Sequence, residues 1–248
     1  MNGLTARLMV FTSGFIVMVL EIVGARFLGR DFGGSFYVWV SQIGVILIAL
    51  AAGSYLGGAW ADRAQRLRPI GVCLLVAGLF TALQPELAPP LIVSIVARHP
   101  ADAPIPMVWQ KLDPVLGSAV VFLLPALALA TLPPYLIRWS TGSLGRLGRS
   151  SAAIVASNTL GGIAGVFVTG YVLLDVMRIS SIFRLMGALI ALLAVCCLCA
   201  DRRGPRAVRN LARMCHELVT AAEPNTPEGA PMRAGTLPAA AGAPTGCP

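Results

Sequence analysis

Few residues in this chain of 248 have the type and spacing for chemistry, and most of those lie inside long apolar runs. Glu21 is the clearest: a carboxylate within the first run, with Arg26 five residues on and Asp31 beyond it. Gln42 stands in the second run and Asn158 in the fifth. Polar and ionisable side chains at membrane depth are costly, so each is a functional candidate by default. A carboxylate there can carry a proton or bind a cation, with Arg26, Gln42 and Asn158 as further groups of an ion pathway. The structural alternative is a Glu21–Arg26 ion pair, or a carboxylate met by a neighbouring helix.

Other constellations are weaker. Cys197-x-Cys199 followed by Cys215-His216 can be drawn as a zinc site, but two of its ligands would sit in lipid. Packing of small hydrophobic thiols, or acylation beside the membrane, suits those positions better, and no metal is expected. His99 and His216 fall on opposite expected sides, which argues against a shared two-histidine site. Gly161, Gly162 and Gly165 resemble a nucleotide fingerprint only superficially. A phosphate-cradling loop follows a strand and exposes its amides to water, whereas these glycines are inside an apolar helix. No cofactor is expected. Asp175 and Arg178 flank a short turn and read as a solvated pair.

The elements that must position these groups follow from composition. Hydrophobic residues make up 56% of the chain, charged residues only 12%, and the mean hydropathy is +0.78. A soluble domain carries about a quarter charged residues, so an ordinary globule is excluded. The formal charge of +8 sits mostly in loops and a tail, which does not make a nucleic-acid surface. Apolar windows at roughly 8–28, 38–60, 70–91, 115–137, 152–174 and 179–200 are each long enough to cross a core about 30 Å thick. Pro85, Glu86, Pro89 and Pro90 make the third the least regular; it is expected to kink there, or to end and continue along the interface to Arg98. Arg7 and an apolar stretch ending at Val23 and Ala25 resemble a signal peptide, but the segment is expected to stay as a membrane helix. With the N-terminus inside, the inner segments hold Arg7, Arg63, Arg66, Arg68, Arg138, Arg146, Arg149 and the tail arginines. The other side holds Arg26, Arg30, Arg98, Lys111, Arg178 and Arg184. Both termini are therefore expected in the cytoplasm.

Two runs carry small residues at every fourth position: Ala49, Gly53, Gly57 and Ala61 in the second, Ser157, Gly161, Gly165 and Thr169 in the fifth. Such ridges let helix backbones approach closely in lipid, within one chain or against another subunit. From Arg202 to Val219 apolar residues recur at helical spacing, with Arg202, Arg206, Arg209 and Arg213 on the other face. A basic amphipathic helix over 201–222 is expected to lie on anionic inner-leaflet lipids, or to dock a cytoplasmic partner. The 223–248 tail is rich in Pro, Ala and Gly, a composition that cannot bury a core.

Gly57-Gly58-Ala59-Trp60-Ala61-Asp62-Arg63 and the basic residues after it resemble the loop joining the second and third helices of major facilitator transporters. A longer resemblance is to the membrane domain of spermidine synthase-like bacterial proteins, often described as facilitator–synthase fusions. It is carried by Leu20-Glu21-Ile22-Val23-Gly24-Ala25-Arg26-Phe27-Leu28, by Phe32-Gly33-Gly34-Ser35-Phe36-Tyr37-Val38-Trp39, and by Ile43-Gly44-Val45-Ile46-Leu47. Pro134-Tyr135-Leu136-Ile137-Arg138 and Ser157-Asn158-Thr159-Leu160-Gly161-Gly162-Ile163-Ala164-Gly165 complete it, covering 13–175 in order. The resemblance implies a six-helix bundle like half of a facilitator, in a bacterial inner membrane. Relatives often continue into an aminopropyltransferase-like domain; here only about 48 residues follow Ala200, fewer than a typical domain needs.

The expectation is an all-α integral membrane protein with no enzymatic activity of its own, a subunit that anchors or stabilises a larger membrane assembly. Its partners would be other membrane subunits or a second copy of itself. One alternative is a half-size transporter, paired as facilitator halves pair, acting on a polyamine or other cation. Another is an activator of a separately encoded soluble synthase.

Overall fold

The computed structural model describes residues 3–34, 36–63, 66–99, 106–140 and 147–222, with backbone alone at 140, 147 and 202–222. Every described element is a helix: α1 (Gly3–Phe32), α2 (Phe36–Arg63), α3 (Arg68–Val96), α4 (Met107–Ala130), α5 (Leu132–Ser140) and α6 (Leu147–Val168). A π-helical turn at Thr169–Leu173, α7 (Leu174–Val176) and α8 (Ile179–Ala222) follow. Six stretches are long and apolar enough to cross a membrane: Gly3–Phe32, Phe36–Arg63, Arg68–Val96, Met107–Trp139, Gly148–Val176 and Ile179–Asp201. Hydrocarbon gives a backbone no hydrogen-bond partners, so each run satisfies itself as a helix. The chain divides into two units, Met1–Arg206 with all six spans, and Ala207–Pro248, helical as far as Ala222.

Several irregularities are at prolines, and two of the freed carbonyls are met from other spans. The third span does not end at its prolines: α3 runs unbroken through Pro85, Pro89 and Pro90 to Val96. The fourth begins at Met107, earlier than its apolar window, and breaks at Thr131 between α4 and α5. Pro125 has no N–H, which leaves the Val121 carbonyl without its ladder partner. The buried Gln84 of α3 donates Nε2–H to that carbonyl at 3.1 Å. Pro133 frees the Leu129 carbonyl in the same way, and the Ser13 hydroxyl of α1 donates to it at 3.1 Å. Gln84→Leu is expected to cost about 1–3 kcal/mol, because it strands an acceptor where no water replaces the amide. The thermal midpoint of the purified protein in detergent checks this; an unchanged midpoint would mean that another donor reaches Val121.

Glycines decide how the spans pack. A Cβ on Gly53 would collide with the Leu127 carbonyl of α4, and one on Gly57 would sit 2.5 Å from the Thr131 carbonyl. A Cβ on Gly161 would strike the Phe11 carbonyl of α1, and one on Gly165 would lie 2.6 Å from the Phe15 carbonyl. The second span thus lies parallel to the fourth, and the fifth parallel to the first. Ala49, Ala61 and Thr169 are buried along the same ridges, and Ser157 is half-buried. Both ridges are used within the chain. A third seam, antiparallel, joins α3 to α8 through Gly71, Gly78 and Gly187, where the Gly78 Cβ position is 2.9 Å from the Gly187 carbonyl. Exchanging the first three spans with the last three turns the second-on-fourth contact into the fifth-on-first and leaves the third-with-sixth unchanged. Since successive spans alternate in direction, the two triplets are inverted relative to each other. Phe27 and Phe183 meet edge to face at 5.4 Å between the first and sixth spans. Leu and Val side chains such as Leu47, Leu79, Leu160 and Val195 remain exposed on the flanks, as lipid contact requires.

Candidate functional site

Glu21 and Gln42 are brought together, though through the main chain. Gln42 is fully buried in α2, and its Nε2–H is donated to the backbone carbonyl of Glu21, while its buried Oε1 has no partner among the described residues. The Glu21 carboxylate forms no ion pair among the described residues, and Arg26 is exposed. Five residues at 100° each turn the two side chains roughly 140° apart around α1, which is why the expected pair does not form. Asp175 and Arg178 are both exposed beside the turn between α7 and α8.

Asn158 belongs to a different place. It lines a cleft of about 470 Å³ between the first, second, fourth and fifth spans, together with Ser13, Leu50, Ser54, Ala130, Pro133, Thr159 and Ile163. Ser13, Ser54, Ala130 and Asn158 are each about ten residues, roughly 15 Å, in from the same end of their spans. The cleft therefore collects its polar groups at one depth. Pro134 removes the N–H that would have met the Ala130 carbonyl, so this residue of the wall carries an acceptor without its ladder partner. The Asn158 amide makes no hydrogen bond among the described residues, and its Oδ1 packs against Gly14. Thr159 is already satisfied, donating to the Val155 carbonyl at 3.1 Å. Among the described residues, no Asp, Glu, Lys, Arg or His lines the cleft.

At the nearer end of the bundle, the connection after α2 is held by three contacts. Asp62 and the Arg138 guanidinium approach to 3.3 Å, both largely exposed, a pair of small energetic value. The Tyr135 hydroxyl donates to the Arg66 carbonyl at 2.5 Å, and the buried Asp201 carboxylate accepts from the Leu67 N–H at 3.0 Å. Arg63, beside Asp62, is exposed and ends α2.

At the opposite end lies a cluster that the spacing of residues did not reveal. Asp113, buried in the first turns of α4, takes the Arg98 guanidinium at 3.2 Å on one oxygen and His99 Nε2 at 2.7 Å on the other. Trp109 lies beside both, its ring 5.4 Å from the Arg98 guanidinium carbon and, tilted by 53°, 5.9 Å from the His99 ring. Lys111 lies over the Tyr37 ring at 5.5 Å. A second hollow of about 310 Å³ runs from Asp31 and Tyr37 to His99 and Asp113. Each of these cations is matched by a carboxylate or a ring, so the cluster ties the end of α3 to the start of α4. The sequence signal was an acid and two prolines at the head of an apolar run, which reads as a loop until the helix is known to begin at Met107.

The side chains of Arg202, Arg206, Arg209 and Arg213, with Cys215 and His216, lie outside the described residues, as does all of 223–248. No family model, no curated protein and no solved structure matches this chain.

Proposed function

We propose that the chain is a non-enzymatic membrane subunit, a six-span unit arranged like half of a facilitator, which anchors itself against a second six-span unit. The observation that carries this reading is the cleft on the flank between the second and fifth spans. It gathers an unpaired amide, a proline-freed carbonyl and hydroxyls at one depth, where acyl chains offer no hydrogen bonds. Such a flank is covered by protein or by water held in place by protein. The inverted relation of the two span triplets supports the half-facilitator arrangement, since facilitator halves are built from inverted repeats of three. A bacterial inner membrane with both termini inside, and anionic lipid beneath Arg202–Arg213, belong to the same reading.

Extraction in lipid discs followed by native mass measurement tests it. The expected result is a complex of at least two six-span units, with a disulfide forming between copies or partners when cysteine replaces the exposed Ile163. A single chain in every disc would overturn it. The size of the cleft favours a half-size transporter as second reading, and uptake lost in Asn158→Leu with the assembly intact would promote that reading to first. Activation of a separate synthase would use the 202–219 face.

A further inference from the structure

The cleft has a chemistry of its own, whatever covers it. Its volume of about 470 Å³ is that of a small-molecule site, and its wall is mostly apolar with a few convergent polar groups. Those groups comprise the Ala130 carbonyl, which Pro134 leaves without its ladder N–H, and one amide able to give and to take, Asn158. The Ser54 hydroxyl is exposed beside them. Among the described residues no charged side chain lines the space, so an ion entering would lose its hydration without a counter-charge from them. We propose that the cleft binds an uncharged molecule that carries a hydroxyl or amide on a short apolar body. Its O–H or N–H donates to the Ala130 carbonyl, its oxygen accepts from Asn158 Nδ2, and its apolar part lies along Leu50, Ile163 and Val166. Glu21 and Arg26 take no part in this site.

Photolabelling of the full chain in lipid discs tests the proposal, with a diazirine-bearing decanol as probe and peptide mass spectrometry to place the adducts. Adducts are expected on 129–133 and 158–166. Unlabelled decanol should compete about tenfold more strongly than decanoate or decyltrimethylammonium, which share its chain and differ in head charge. Asn158→Gln keeps an amide and should retain labelling, while Asn158→Leu should reduce it about tenfold. Adducts spread evenly over lipid-facing flanks such as Leu79 and Val195 would overturn the proposal. Equal competition by the three heads would do the same, as would full labelling of Asn158→Leu. Competition by free glycerol would mark an aqueous ligand, and competition by decanol alone a ligand from the bilayer. Because labelling is read in discs whose subunit number is known, a single chain that labels as expected would sink the assembly reading and leave this one standing.

Discussion

Gly57→Leu is expected to prevent recovery of a monodisperse folded protein, while Gly58→Leu, one residue along, leaves recovery nearly unchanged. At Gly57 an added Cβ would lie 2.5 Å from the Thr131 carbonyl and 2.7 Å from the Thr131 Cα, and at Gly58 it would meet nothing within 4 Å. The obstacle is backbone at the α4–α5 break, which has no rotamer to change. Ordinary overpacking costs about 1–3 kcal/mol, and a side chain driven between two backbones exceeds that range. Gly161→Leu should behave like Gly57→Leu, because its Cβ meets the Phe11 carbonyl, and Gly170→Leu should behave like Gly58→Leu, with open space around it. Size-exclusion profiles of the four variants decide the matter. Equal profiles for Gly57→Leu and Gly58→Leu would mean that the second and fourth spans are not in contact there.

Removal of the Asp113 carboxylate should give the second large effect. Asp113→Ala leaves the His99 ring, itself mostly buried, and the Arg98 guanidinium without their acceptor. Breaking a buried pair from one side costs about 3–5 kcal/mol, and the lower end applies because the Arg98 side chain is 46% exposed and can turn to water. Asp113→Asn keeps an oxygen for one partner and should lose about half as much. His99→Ala should cost less again, since Arg98 still holds the carboxylate. Thermal midpoints in one detergent order the three variants. If Asp113→Ala matched wild type, the cluster would be a surface contact with no part in closing that end of the bundle.

These two predictions mark the line between what could be read along the chain and what could not. The spans were legible because apolar length is a one-dimensional property. Their number, and the presence of small-residue ridges in the second and fifth, follow from composition and from a period of four. Which helix each ridge meets was not legible: Gly57 and Gly161 each point at a carbonyl more than seventy residues away, and nothing nearby names it. The same holds for the seam of Gly71, Gly78 and Gly187, where the glycines stand too far apart along the chain to read as a ridge.

The chemistry divides in the same way. Glu21, Gln42 and Asn158 were recognisable as polar residues in apolar surroundings, yet the structure gives Gln42 the main chain of Glu21 as its partner and places Asn158 in a cleft that Glu21 does not line. Nothing in the spacing of Ser13 and Gln84 marks them, yet they answer the Leu129 and Val121 carbonyls that Pro133 and Pro125 free on another span. Sequence by itself determined that this chain forms six apolar helices, because in hydrocarbon each backbone must bond within its own segment. Only the tertiary structure decided which polar groups meet, because a proline creates its unmet acceptor locally while the donor that answers it comes from wherever the packing of spans brings it.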